Sequence, residues 1–142
     1  MDNELSWNQQ FDFWLGEWDL TWGDDEHGIN RIERIMEGAA IQENFEGGDP
    51  PLKGISLSVF SREDSRWHQT WVDNSGSYLD FVGEFRDGKM TLMRDGVVQG
   101  KPVKQRMIWF GISQNGFEWN WERSDDEGEN WTVLWNIHYQ RR

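Results

Sequence analysis

The chain has 142 residues, enough for one domain with a sizeable core, and the whole of 1–142 reads as a single domain. Its 26 acids against 14 lysines and arginines give a formal charge of -12, which opposes nucleic acid and an anionic membrane as partners. It has no cysteine, so disulfides, thiol catalysis and cysteine-bound metals are excluded, and a reducing compartment fits.

Eleven tryptophans, eight phenylalanines and two tyrosines sit in a chain whose mean hydropathy is only -0.86. That combination predicts a core of a few large rings beneath a strongly charged surface. The opening MDNELSWNQQ has neither a basic n-region nor a continuous apolar h-region, so no signal peptide is expected. Nor is there an apolar run of the roughly eighteen residues a membrane helix needs. A cytoplasmic protein is the expectation.

Helix signals are confined to the start. Ser6 followed by Gln9 fits a capping box, and Trp7, Phe11 and Trp14 then share one helical face. The spacing predicts a short helix ending before Gly16, where glycine permits a bend. From there the period becomes two: Trp14, Gly16, Trp18, Leu20 and Trp22 alternate with Leu15, Glu17, Asp19 and Thr21. Further strands are expected at 29–37, 39–46, 55–61, 66–72, 77–83, 89–94, 103–110, 116–123 and 131–140.

Punctuation between these segments suits hairpins. DNSG, Asp87–Gly88 and Asn115–Gly116 are turn signals, and Glu37–Gly38 is a tight break. Three longer connections, WGDDEHG, EGGDPPLKG and SDDEGEN, complete the set. No stretch reads as a crossover helix, so the fold class is all-β, an antiparallel meander of about ten strands. Closure into a barrel removes the sheet edges; a two-sheet sandwich is the competing architecture. Trp7, Phe11 and Trp14 are then placed to plug one end, with Trp18 and Trp22 along the first wall.

The segments FDFWLGEWDL, GAAIQENF, GISLSVF, WHQTWVDNSG, KQRMIWF and WERSDDEGENWTVLWNIHY, in this order and spacing, resemble a bacterial family of small lipocalin-like proteins of unknown function. The resemblance covers residues 9–142 and is strongest at 11–18, at 67–76, and at Trp121, Asp126, Gly128 and Trp131. It implies a calycin-like barrel with an internal pocket, and no established reaction, substrate or cofactor. Ala39 follows Gly38 where such proteins often carry cysteine, which removes any thiol-dependent role. A haem-binding barrel has a similar outline, but the resemblance supplies no axial ligand.

Polar residues on otherwise apolar strand faces are the informative exceptions in such a barrel. Gln69 alternates with Trp67 and Trp71, and Glu43 with Ile41 and Phe45. A buried glutamate must be paired, hydrogen-bonded or neutral. Arg106 is a candidate partner if Lys104, Arg106 and Ile108 face inward; Gln105, Met107 and Trp109 form the rival inward set. The functional reading gathers Glu43, Gln69 and Arg106 to orient a ligand against Trp67, Trp71 and Trp109. The bland reading makes the same polar residues a network that fixes strand register.

Other residues carry less. His27 lies in an acidic loop, and His68 alternates away from Trp67 and Trp71 toward solvent. His138 shares a face with Leu134 and Asn136, opposite Val133, Trp135, Ile137 and Tyr139. The histidines form no metal motif, the acidic loops lack calcium-loop spacing, and no cofactor is implied. Asp73 and Asn74 suit an Asx turn near the rim, and Asp125 and Asp126 read as solvated turn residues. Ser56 and Ser58 have no base-bearing motif, and phosphate-loop and dinucleotide fingerprints are absent.

The expected function is noncatalytic binding of a small apolar or aromatic molecule inside the barrel. An isomerase, hydratase or hydrolase using a Glu43–His138 acid–base pair is the enzymatic alternative. A homodimer built on surplus tryptophans is the third reading.

Overall fold

In the computed structural model, which describes residues 5–142, ten strands follow one another and each pairs antiparallel with the next. They are β1 (Gly16–Trp22), β2 (Glu26–Ile35), β3 (Ala40–Gly47), β4 (Leu52–Ser61), β5 (Arg66–Asp73), β6 (Tyr78–Arg86), β7 (Lys89–Val98), β8 (Lys101–Phe110), β9 (Gly116–Ser124) and β10 (Thr132–Arg141). β1 also pairs with β10, Leu20 opposite Tyr139, so the sheet closes into a barrel without a free edge. The expected all-β meander of ten strands after a short N-terminal helix is the observed fold. β2 and β4 begin three residues earlier than the sequence pattern suggested, and β7 runs on to Val98.

Turn chemistry explains the tight connections. Asp87 and Gly88 have φ of 55° and 76°, the left-handed pair that a two-residue hairpin of matching twist requires. Gln99 and Gly100 repeat it at 51° and 77° between β7 and β8. Asn115–Gly116 does not form the expected turn, because Gly116 is already the first residue of β9.

The N-terminal helix takes the form of two single 3-10 turns, Trp7–Gln9 and Asp12–Trp14. The capping box does not form: Ser6 Oγ donates to the side chains of Asn8 and Gln9 instead of capping the backbone. Phe11 and Trp14 are fully buried, stacked on each other at 4.6 Å and set edge-on to Trp109. Trp7 is a correction to the expected plug. It lies half exposed outside, stacked on Phe60, because the break between the two turns rotates it off the shared face.

This plug is wired to the barrel through backbone carbonyls. Trp18 Nε1 donates to the Trp14 carbonyl at 2.9 Å, and Arg141 Nη1 donates to the Leu15 carbonyl at 2.8 Å while its guanidinium lies over the Trp18 ring. Gly16 is needed here twice over. Its φ is 129°, and a Cβ would sit 2.5 Å from Arg141 Nη1.

Inward and outward faces alternate as the period of two demands, with two instructive departures. On β4 the inward row is Gly54, Ser56 and Ser58, while Ile55, Leu57 and Val59 face outward, each more than 40% exposed. On β10 a bulge between Val133 and Trp135 turns both Val133 and Leu134 outward, so Val133 does not join Trp135 inside as expected. Trp131 is also outside the barrel, beneath the guanidinium of Arg106. The loop before it is not merely solvated: Asp126 accepts from Ser124 Oγ and from the backbone and amide of Asn130, bonds that hold its carboxyl down to about 2.

Trp14→Ala should lower unfolding free energy by about 3–5 kcal/mol, as for other large buried aromatics. Trp7→Ala should lower it by about 1 kcal/mol or less, the value of one exposed aromatic pair. Urea denaturation of the two variants checks this; equal losses would place Trp7 in the plug after all.

Candidate functional site

Small residues on β4 determine what its neighbours can hold. Register sets Glu43 of β3 and Trp71 of β5 on either side of Ser56, and Ile41 and Gln69 on either side of Ser58. Trp71 folds over Gly54 so closely that a Cβ there would lie 2.1 Å from the ring. Larger inward residues on β4 would fill the space these side chains occupy.

Beyond the plug the interior opens into a cavity of about 270 Å³. Its walls are rings and aliphatics, among them Phe45, Trp71, Trp119, Trp121, Trp135 and Ile137. Glu43 and Tyr139 lie at its inner end, and Leu52, Asp73 and Ser77 at the other. Trp135 is a T-shaped partner of Trp22, Phe45 and Trp119, so the rings brace one another around the open space.

A buried polar network closes the inner end. Glu43 Oε2 accepts from Asn30 Nδ2 at 2.7 Å, and Oε1 accepts from Ser56 Oγ at 2.7 Å. Asn30 Nδ2 also donates to the Tyr139 hydroxyl oxygen at 2.9 Å. Burial pushes the Glu43 carboxyl up from its ordinary 4.5, against the lowering effect of the Asn30 and Ser56 hydrogen bonds. Burial and then the Glu43 charge push the Tyr139 hydroxyl well above 10.0, so it stays protonated. The Trp14 indole N–H approaches the same oxygen and opposes that rise, without reaching hydrogen-bonding geometry.

At the mouth, Asp73 Oδ2 accepts from Trp71 Nε1 at 2.8 Å and fixes that ring. Its other oxygen accepts from Ser75 and from the Ser77 backbone. Burial raises the Asp73 carboxyl, but the hydrogen bonds of Ser75, Trp71 and Ser77 outweigh it and hold the group below 3.8.

Three of the six residues expected to contact a ligand, Glu43, Trp71 and Trp109, line this cavity together. Trp67 and Gln69 are inside the barrel but deeper. Trp67 packs on Phe11 and Phe60 and donates to Gln10, and Gln69 donates to Ser58 Oγ at 3.0 Å. Arg106 is placed outside. Gln105, Met107 and Trp109 are the inward set, so Arg106 pairs with the buried Glu122 at 2.7 Å and not with Glu43. His138 is outside as well, bonded to Glu118 at 2.6 Å, because a strand opposes the faces of neighbouring residues and Tyr139 points in. The Glu43–His138 pair is therefore not assembled.

Asn30 and Tyr139 belong to the site without having been expected there, and so does Ser56, considered above only as a nucleophile and set aside. Phase supplied the signal for two of them: Asn30 alternates with Ile32, and Tyr139 with Ile137 and Trp135. Ser56 gave none, since its strand carries its aliphatics on the other face. Among the described residues no group of three or more metal-ligating side chains gathers, and no helix is long and apolar enough to cross a membrane.

No protein-family model matches the chain, and no curated protein does. A solved structure described as EF1p2_mFAP2b bound to DFHBI is similar over 96% of this chain and 100% of its own, at 13% identity and a TM-score of 0.46.

Glu43 has a raised folded-state pKa, so the folded protein holds this proton more tightly than the unfolded chain. Its contribution to stability is then greatest at low pH, falls as pH rises above 4.5, and levels off beyond the raised value. Glu43→Gln keeps the shape and removes the titration. Urea midpoints measured from pH 4 to pH 8 should decline less in the variant than in the wild type; parallel profiles would show that Glu43 ionises as freely as in the unfolded chain.

Proposed function

We propose that the protein binds a small, largely apolar or aromatic molecule inside the barrel, without catalysis. The observation that carries this reading is an aromatic-walled cavity of about 270 Å³ with a buried carboxyl, both of whose oxygens are hydrogen-bonded, at its inner end. Glu43, Trp71 and Trp109 are the contacts this reading keeps, with Tyr139 and Asp73 added. It also takes 1–142 as one lipocalin-like domain, cytoplasmic and with no role in binding nucleic acid or membrane, and keeps the kinship with the bacterial lipocalin-like family that its motifs suggest. The enzymatic alternative retains the buried carboxyl but loses its histidine partner, so it needs a base or acid supplied by the substrate.

Gly54→Ala gives the test. The added methyl displaces the Trp71 ring and should weaken binding of a simple apolar probe, naphthalene, at least about tenfold, since its nearest wall moves into the cavity. Arg106→Ala, on the outer face, should leave the affinity unchanged. Titrations followed by tryptophan fluorescence give both values, and equal effects of the two substitutions would remove the cavity from the reading.

Self-association is kept as a second reading on one specific observation. Ile55, Leu57 and Val59 of β4, with Val72 beside Ile55 on β5, form an exposed aliphatic strip, while nine of the eleven tryptophans are spent in and around the barrel interior. If a homodimer forms, this strip and not tryptophan is its contact. Sedimentation velocity across a hundredfold concentration range should then show a dimer that Leu57→Glu abolishes; a monomer throughout would end this reading.

A further inference from the structure

Resting on the binding reading above, we propose that the ligand of the cavity is an arylalkyl amine in its ammonium form, its ring system among the indoles and its cationic group at the Asp73 carboxylate in the mouth. Charge inside the cavity has one sign. Among the described residues that line it, Glu43 and Asp73 carry the only charged side chains, and no lysine, arginine or histidine joins them. Glu43 is met only by the neutral donors Asn30 and Ser56. Arg106, its candidate cationic partner, is engaged by Glu122 outside the barrel. Arg94 and Arg123 are in phase with the inward rows of β7 and β9 but do not line the cavity. Arg94 donates to Gln105, and Arg123 pairs with Asp125 at 3.2 Å.

Asp73 is the carboxyl placed to receive a cation. Its hydrogen bonds hold it below 3.8, so it is ionised at neutral pH. Its Oδ1 is filled by the backbone and hydroxyl of Ser75 and the backbone of Ser77. Oδ2 accepts only from Trp71 Nε1 and keeps a lone pair for a second donor. Glu43 is buried at the inner end, so a ligand entering by the mouth meets Asp73 first. Behind that carboxylate the walls hold five tryptophans, two phenylalanines and Tyr139, whose ring faces carry negative potential.

The approach to the mouth favours the same sign. In an antiparallel meander the loops after odd-numbered strands share one end of the barrel, here the end where Leu52, Asp73 and Ser77 line the cavity. These loops bring Asp24 and Asp25, Asp49, and the acids of the 125–129 segment, with no lysine, arginine or histidine among them. Together with the overall charge of -12, they concentrate cations at the mouth and repel anions. A neutral ligand gains from the walls alone.

One aromatic body with three tails separates the possibilities in calorimetric titrations at neutral pH: 2-(2-naphthyl)ethylammonium, 2-(2-naphthyl)ethanol and 2-naphthylacetate. The ammonium should bind about tenfold more tightly than the alcohol, and the carboxylate at least about tenfold more weakly. Asp73→Asn should reduce ammonium affinity about tenfold and leave alcohol affinity within about twofold. An equal loss for both probes would make Asp73 only the support of the Trp71 ring and overturn the assignment. Should that variant not fold, salt carries the same comparison in the wild type. Raising sodium chloride from about 0.02 M to about 0.5 M should shrink the ammonium's advantage over the alcohol at least about threefold, and an unchanged ratio would overturn the inference. Equal affinity for ammonium and alcohol would overturn it while cavity binding stands. Preference for the carboxylate would overturn it in favour of an anion held by Arg94 and Arg123. Failure of all three probes to bind would overturn this inference and the binding reading together.

Discussion

A ten-stranded barrel encloses more volume than one inward side chain per two residues of strand fills comfortably, and this constraint organises the molecule. One half of the interior is filled by importing rings from outside the sheet. Phe11 and Trp14 come down from the two 3-10 turns and meet Trp109, with Trp67 edge-on to Phe11. The other half is walled by rings that lean on one another and leave open space between them. A plug and a cavity are thus two answers to the same surplus of volume.

The plug has to be anchored because its helical turns are too short to hold themselves. Arg141, from the last residues of β10, does this by grasping the carbonyls of Leu15 and Phe13 and lying on Trp18. Chain start and chain end are therefore joined twice, by the β1–β10 ladder and by this clamp. Gly16 marks the place where the two meet, since no side chain fits between its backbone and the guanidinium.

The cavity depends on a strand whose usual faces are reversed. With Gly54, Ser56 and Ser58 inward, β4 yields space to Trp71, Glu43 and Gln69, and supplies the hydroxyls that the latter two require. The Glu43 carboxyl can then be buried at the inner end with both oxygens hydrogen-bonded, beside the Asn30 amide that donates to it and to the Tyr139 hydroxyl. The consequence is borne on the other face, where Ile55, Leu57 and Val59 remain in contact with solvent.

What the sequence determined by itself was everything that rests on local period and turn chemistry. Alternation in Trp18–Leu20–Trp22, Ile41–Glu43–Phe45 and Trp67–Gln69–Trp71 was enough for strands, meander and the burial of Glu43 and Gln69, while the choice of barrel over sandwich was made by the pairing of β1 with β10. Tertiary structure decided what period cannot. Strand phase is ambiguous where both faces carry large or polar groups, so only pairing with β9 sent Arg106 outward to Glu122. A bulge shifts phase within one strand, which moved Val133 out while Tyr139 stayed in. Depth along the barrel is invisible to alternation, so Trp67 and Trp71, four residues apart in the same row, serve the plug and the cavity respectively. And the meeting of Glu43 with Asn30, Ser56 and Tyr139 joins four strands, a proximity that depends on register around a closed sheet and not on spacing along the chain.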